Sequence, residues 1–185
     1  AVGSAIGIQG SPGVGKTNLA REGISKILGR PFAFIALGGA TDSSFLEGHS
    51  YTYEGSSWGK IVQIIIDSKC MNPVIYFDEL DKISETPKGE EIAGILTHLT
   101  DTSQNSLFHD KYFAELDFDL SKCLFIFSYN DESKINPILK DRMYKIETKG
   151  YKTKDKLVIA KDYLLPKIRE EIKAQSVDSD KTLGL

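Results

Sequence analysis

The chain has 185 residues, enough for one globular domain or for one domain and the start of a second. Apolar residues make up 41% and charged residues 26% of the sequence, which excludes a disordered, collagen-like or coiled-coil chain. The net charge of -3 argues against a general polyanion-binding protein. No apolar run approaches the roughly 18 residues of a membrane helix, and the sequence opens without a basic, apolar leader. We therefore expect a soluble intracellular protein of the cytoplasm or the mitochondrial matrix.

The first part of the chain alternates short apolar runs with helical patterns. Residues 5–9 form an apolar run that predicts a strand, and a glycine-rich turn follows it. Apolar side chains then recur at helical spacing over residues 20–28, until a Gly-x-Pro sequence ends the pattern. Residues 32–37 predict a second strand. Another helix begins at Ile61, and we expect it to end near Pro73.

The same alternation continues through the second half. Residues 74–77 predict a buried strand, apolar spacing over residues 92–99 predicts a helix, and residues 123–127 predict a further buried strand. Tyr144 and Ile146 indicate a last strand. Continuously apolar strands that alternate with amphipathic helices are typical of a parallel sheet covered on both faces. The predicted fold class is therefore α/β, a three-layer domain with a mostly parallel five-stranded sheet.

The pattern changes after residue 149. A turn at Gly150 and Tyr151 and a lysine-rich stretch suggest a boundary, and apolar residues from Leu157 to Ile168 then follow helical spacing. We assign residues 1–149 to the α/β unit, 150–173 to the start of a helical unit, and 174–185 to a flexible tail.

Residues 10–17 match a phosphate-binding loop. Their sequence fits G-x-x-x-x-G-K-[ST] and lies between a predicted strand and a predicted helix, as this motif requires. Its glycines let backbone N–H groups point inward at phosphate oxygens, and the helix N-terminus adds positive charge. We expect Lys16 to reach the β and γ phosphates of ATP and Thr17 to bind Mg²⁺, so that ATP or ADP and Mg²⁺ are the cofactors. The predicted phosphate-binding residues are Gly10, Ser11, Pro12, Gly13, Val14, Gly15, Lys16 and Thr17.

Polar residues follow two of the apolar strands. Asp78 and Glu79 come after the strand at 74–77, and Asn130 lies just past the strand at 123–127. Since ligands bind at the carboxyl ends of parallel strands, we expect these side chains to meet the phosphates. Asp78 is expected to face the metal, Glu79 to polarise the attacking water, and Asn130 to orient that water or touch the γ phosphate. Solvated acids and a turn-forming asparagine remain the alternatives.

Arg142 is one of only four arginines, against 19 lysines, and it precedes the last predicted strand. It fits either an arginine finger that stabilises phosphate charge or a surface ion-pair partner of Asp141. Residues 55–59 fit the G-x-S-x-G pattern of serine esterases, but no buried strand precedes them. The three histidines lack metal-ligand spacing.

The order of these motifs resembles that of AAA+ ATPases, and the finer sequence resembles the ATPase domain of Lon proteases. The resemblance extends from about residue 10 to residue 172 and covers most of the chain. The stretches that carry it include EGH at 47–49, FDELDK at 77–82, SQNS at 103–106, FDLS at 118–121 and LKDRM at 139–143.

This resemblance implies a homo-hexameric ring that hydrolyses ATP, unfolds protein substrates and feeds them to a Ser-Lys protease domain. It implies that Asn130 is the first sensor and that Arg142 is the finger presented to the neighbouring subunit. It further implies that Tyr151 and Ile159 flank adenine and that Tyr53 is the aromatic residue of a substrate-gripping pore loop. Glu54 departs from the family pattern, which usually has an aliphatic residue after that aromatic. We expect no proteolysis from these residues, since they lack the protease domain and a complete helical lid.

Two other functions remain open. One is a stand-alone AAA+ remodelling ATPase or nucleic-acid motor without a protease, and the other is a nucleotide-binding fragment with little turnover. The net charge of -3 and the lack of a basic patch argue against nucleic acid as a partner. No sequence feature indicates binding to a membrane.

Overall fold

The structure, a computed structural model, describes residues 5–11, 15–38, 40, 42–52, 54–83, 85–148 and 166. Five strands form one parallel sheet: β1 (Ala5–Gln9), β2 (Phe32–Ala36), β3 (Val74–Asp78), β6 (Leu124–Tyr129) and β7 (Tyr144–Glu147). Their spatial order is β2-β3-β6-β1-β7. Two shorter strands, β4 (Phe108–His109) and β5 (Asp117–Phe118), pair antiparallel in a separate hairpin. The predicted α/β fold with a five-stranded parallel sheet is confirmed.

Helices connect the strands of the main sheet. The first, α1, covers residues 16–28 and consists of Lys16–Asn18, a π-helical segment Leu19–Ser25, and Lys26–Leu28. The others are α2 (Ser44–Glu47), α3 (Lys60–Ser68), α4 (Pro87–Leu99) and α5 (Pro137–Arg142). Short 3-10 turns lie at Leu80–Lys82, Asn105–Leu107 and Glu132–Lys134.

Helix α3 ends several residues before the position predicted from Pro73. Lys69 adopts a left-handed conformation with φ of 52°, and its N–H bonds to the carbonyls of Ile65 and Ile66. This left-handed conformation cannot continue a right-handed helix, and a residue of this kind commonly follows the last helical one. Pro73 lies in the connection that follows, just before β3.

The sheet separates two apolar layers. On one face, Ile6, Ile8 and Tyr76 pack with Ile24 of α1, and on the other, Phe77 and Phe127 stack with ring centroids 5.0 Å apart. Side chains of a strand alternate between its faces, so residues two apart share a face. Each large apolar side chain that is fully buried contributes about 1.5–3 kcal/mol to folding. The layers fix the strands and thereby the polar residues at their carboxyl ends.

Candidate nucleotide-binding site

A cleft of about 380 Å³ opens at the carboxyl edge of the sheet, where β3, β6 and β1 lie side by side. Six residues singled out from the sequence line it, namely Gly15, Lys16, Thr17, Asp78, Glu79 and Asn130. They come from distant segments, since Lys16 and Asn130 alone are 114 positions apart in the chain. The parallel topology brings them together because it places all the strand ends at one edge.

Lys16 is held at the centre of the cleft by neutral oxygens. Its ammonium donates to the carbonyl of Gly10 at 2.6 Å, to Oδ1 of Asn130 at 2.8 Å and to the carbonyl of Tyr129 at 3.4 Å. Since none of these acceptors carries a charge, they orient the ammonium without neutralising it.

Gly15 supplies the turn that leads from the loop into α1. Its φ of 80° lies in the left-handed region, and a Cβ at this position would meet no atom of the other described residues within 4 Å. The backbone conformation, rather than crowding, is therefore what favours glycine here. The carbonyl of Gly15 accepts the N–H of Leu19 at 3.0 Å and so starts the helix immediately behind the cleft.

A cluster of hydroxyl and carboxylate oxygens lies beside Lys16. Ser128 donates to Oδ1 of Asp78 at 2.8 Å, and Thr17 donates to the hydroxyl of Tyr76 at 3.4 Å. Burial, chiefly, and the nearby carboxylate of Asp78 raise the pKa of Tyr76, so its phenol stays protonated. Such an oxygen-only donor set is the kind that hard divalent cations prefer.

Sequence reasoning did not single out Tyr76 or Ser128. A signal for Tyr76 was present, because it lies two residues before Asp78 in the same strand and therefore shares its face. The position of Ser128 depends on the alignment of β6 against β3, in which Phe127 lies opposite Phe77. That alignment cannot be read from the sequence.

Glu79 lines the cleft in an unusual backbone conformation. Its φ of 58° and ψ of 48° are left-handed, which costs a non-glycine residue roughly 1–2 kcal/mol. The carboxylate turns toward Gly38, just beyond the end of β2, where an added Cβ would overlap Oε2 of Glu79. The absence of a side chain at Gly38 therefore leaves the room that this carboxylate occupies.

Asp81 fixes the segment that carries Asn130. Its Oδ2 accepts the backbone N–H groups of Asn130 at 3.1 Å and Asp131 at 3.0 Å. Gln9 adds a long hydrogen bond of 3.5 Å to the carbonyl of Asn130. These contacts hold the backbone at the end of β6, and the side-chain amide of Asn130 then faces Lys16. The sequence analysis did not assign this role to Asp81.

Arg142 does not line the cleft. One guanidinium nitrogen donates to the carbonyl of Thr97 at the end of α4, and the other lies 3.6 Å from Oδ2 of Asp101. Hydrogen bonds from Ser103, together with the charge of Arg142, lower the pKa of Asp101. The alternative partner suggested by the sequence, Asp141, is therefore wrong, because the ion pair is made with Asp101. The side chain of Arg142 is 28% exposed.

Several predicted site residues lie outside the described residues: Pro12, Gly13 and Val14 of the loop, Tyr53, Tyr151 and Ile159. The predicted lid and tail also lie outside them, apart from Pro166. Within the part of the chain that the structure describes, no three His, Cys, Asp or Glu side chains group so as to hold a metal ion. None of the helices described there has the length and apolar character to cross a membrane.

The fold and the cleft agree with the sequence comparisons. Residues 6–151 match the sequence profile of the ATPase family associated with various cellular activities (AAA). The chain belongs to this AAA ATPase family, and the AAA assignment implies nucleotide binding. The cleft with Lys16 is its candidate nucleotide site.

The chain is also similar to curated Lon proteases, which confirms the resemblance seen in the sequence. A Lon protease homolog of Acanthamoeba polyphaga mimivirus is 43% identical over 171 residues, 92% of this chain and 17% of that protein. The Lon protease of Cytophaga hutchinsonii is 45% identical over 172 residues, 92% of this chain and 21% of the relative. The Lon protease of Campylobacter concisus is 45% identical over 164 residues, which are 89% of this chain and 20% of that relative. The chain thus spans about a fifth of the length of these relatives.

Proposed function

We propose that this chain binds Mg²⁺-ATP in the cleft and hydrolyses it as the ATPase module of a longer Lon-type protease. The observation that carries the proposal is the meeting of Lys16, Asp78, Glu79 and Asn130 at one sheet edge. A cation, two carboxylates and a neutral amide are the groups that phosphoryl transfer to water requires.

The described residues fit a nucleotide with its metal. The ammonium of Lys16 donates to the neutral oxygens of Gly10, Tyr129 and Asn130, and phosphate oxygens are stronger acceptors than these. Thr17 and Asp78 offer the hydroxyl and carboxylate oxygens that Mg²⁺ prefers. When bound, Mg²⁺ would neutralise charge on the phosphate oxygens.

Glu79 is the proposed general base. A carboxylate is a competent proton acceptor for water at neutral pH, and Glu79 lies immediately after the strand that ends in Asp78. Asn130 orients the same water through its amide, which accepts and donates without adding charge. The loop at residues 10–17 holds the phosphates with its backbone N–H groups, except at Pro12, which has none, and at Gly10, whose N–H bonds to the carbonyl of Tyr129 at 3.2 Å. Tyr151 and Ile159 flank the adenine.

Arg142 is proposed to act on the nucleotide of a neighbouring subunit in a homo-hexameric ring. Support comes from its separation from its own cleft and from its anchoring by Thr97 and Asp101. Those two contacts engage two guanidinium nitrogens, and the group has five N–H donors in all. Arg142 is thus held in a fixed direction while keeping donors for a phosphate.

The whole protein is proposed to pull unfolded protein substrates through its ring and pass them to a protease domain. Tyr53 is the proposed gripping residue. It belongs to the loop between α2 and α3, whose base is fixed by a hydrogen bond from the N–H of His49 to the carbonyl of Ser57 at 3.1 Å. Gly59, at the end of that loop, donates to the buried carboxylate of Asp110 at 2.7 Å. A firmly held base would let force on the loop tip reach the ATPase core.

The test compares Glu79→Gln with the unchanged chain. The amide keeps the shape of the side chain and removes its basicity, so ATP should bind with unchanged affinity while hydrolysis falls by about 100-fold or more. Binding is measured by calorimetry and hydrolysis by phosphate release. Glu22→Gln, on the exposed side of α1, is the matched control and should change neither. Turnover that survives in Glu79→Gln would assign the proton acceptor to another group.

A further inference from the structure

The hydroxyl of Tyr76 occupies an unusual place at the bottom of the cleft. The residue is fully buried in β3, and its ring packs against Phe32 and Phe34 of β2, with centroids 5.8 and 5.7 Å away. Apolar packing of this kind needs only the ring, and a phenylalanine would fill the same space. A buried hydroxyl is costly unless it is hydrogen-bonded, so its polar contacts require a separate explanation.

Two hydrogen bonds are made beside this hydroxyl. Thr17 donates its proton to the oxygen of Tyr76 at 3.4 Å, and Ser128 donates its proton to Asp78 at 2.8 Å. The phenol oxygen of Tyr76 is therefore the acceptor that lies behind the hydroxyl of Thr17.

We propose that Tyr76 is a positioning residue for the metal that accompanies the nucleotide, and that it acts through Thr17. This inference rests on the proposed function. A hydroxyl has one proton and two lone pairs, so it presents a lone pair to a cation only when its proton points away. The oxygen of Tyr76 accepts the hydroxyl proton of Thr17. The hydroxyl of Thr17 therefore already has the orientation that metal binding needs before the metal is bound.

Partners behind a metal ligand commonly change metal affinity or activity by about 10- to 100-fold when removed. Tyr76→Phe removes such a partner and keeps the ring packing.

The experiment measures how much Mg²⁺ tightens the binding of a slowly hydrolysed ATP analogue, by calorimetry with saturating Mg²⁺ and with a chelator. In Tyr76→Phe the gain in affinity from Mg²⁺ should fall about tenfold, while affinity in the chelator and the melting temperature stay as in the unchanged chain. Tyr112→Phe removes a tyrosine hydroxyl outside the cleft and should leave the gain intact. An undiminished gain in Tyr76→Phe would overturn the inference.

A double substitution tests whether Tyr76 acts through Thr17. Thr17→Val should reduce the gain from Mg²⁺ to the part that Asp78 supports, and adding Tyr76→Phe should cost nothing further, since the phenol would have no hydroxyl left to orient. If the losses of Mg²⁺-dependent affinity in the two single variants add up in the double variant, the inference is overturned, even if each single variant is weakened. A chain that binds no nucleotide under any condition would overturn the proposed function itself. An undiminished Mg²⁺ response in a chain that does bind nucleotide would overturn the role of Tyr76 alone.

Discussion

The ammonium of Lys16 lies 2.8 Å from the amide oxygen of Asn130, which joins the beginning of α1 to the end of β6. The amide holds the ammonium by hydrogen bonding and leaves its charge intact. In the proposed site, Lys16 and Asn130 contact the same bound phosphate group from two directions. The neutrality of Asn130 is therefore as important as its position.

Replacing this neutral group by a charged one of the same shape tests the relationship. Asn130→Asp would place a carboxylate against Lys16, where it competes with phosphate oxygens, so nucleotide affinity should fall about tenfold or more. Asn130→Ala should retain affinity within about threefold, because it removes a neutral contact only. Calorimetry with ADP distinguishes the two. Equal affinities for the Asp and Ala variants would show that this amide does not lie beside the bound phosphates.

Gly38 and Glu79 give a second prediction. A Cβ at Gly38 overlaps Oε2 of Glu79, which is the far end of a flexible side chain and can move at little cost in stability. Gly38→Ala should therefore leave the melting temperature and ATP affinity nearly unchanged and slow hydrolysis roughly 10- to 100-fold, because the proposed base is displaced. Phosphate release is the measurement.

Gly94→Ala is the matched control for that substitution. Gly94 lies in α4, where an added Cβ meets nothing within 4 Å among the residues that the structure describes. Alanine should therefore stabilise the helix by about 0.5–1 kcal/mol and leave hydrolysis unchanged. Unimpaired hydrolysis in Gly38→Ala would mean that the position of Glu79 beside Gly38 has no bearing on the reaction.

The buried carboxylate of Asp110 predicts a large effect on stability. Asp110 is fully buried and accepts the backbone N–H groups of Gly59 at 2.7 Å, Tyr112 at 2.8 Å and Phe113 at 3.4 Å. Asp110→Ala leaves these donors without their acceptor and should lower the free energy of unfolding by about 3 kcal/mol. Denaturant unfolding measures it. The exposed Asp119, replaced by Ala, should cost less than about 1 kcal/mol. Equal losses in the two variants would contradict the account of Asp110.

The strands of the sheet and the ends that form the cleft were predictable from the sequence. Their runs of apolar residues are continuous because both faces of the sheet are covered. The motif at residues 10–17 predicts where phosphate binds, and this stays a prediction. The hairpin β4–β5 was missed because each strand has only two residues, too few for a period to appear.

The remaining errors concern contacts between distant segments. The pairing of Arg142 with Asp101 depends on how α5 packs against the end of α4, whereas the sequence offered only the adjacent Asp141. The approach of Glu79 to Gly38 depends on the pairing of β2 with β3 and on a left-handed residue that is not glycine. Local patterns carry no information about either.

If Arg142 acts on the nucleotide of a neighbouring subunit, hydrolysis requires that the subunits assemble into a ring. In a version of the protein long enough to form rings, Glu79→Gln subunits keep the finger and lose their own site, and Arg142→Ala subunits do the opposite. Each alone should be inactive, and mixing them should restore hydrolysis at interfaces that combine an intact Glu79 with a neighbour's Arg142. Mixed rings verified by mass spectrometry that remain inactive would show that Arg142 acts within its own subunit.

The central claim is that the cleft around Lys16 binds the phosphates of ATP. Its most direct test is calorimetry of ATP and ADP binding with Mg²⁺ to the unchanged chain, to Lys16→Ala and to Lys26→Ala, which removes an exposed lysine paired with Glu22. The account predicts tight binding to the unchanged chain, the same affinity for Lys26→Ala and no measurable binding to Lys16→Ala. Unchanged affinity in Lys16→Ala would contradict the assignment of this cleft.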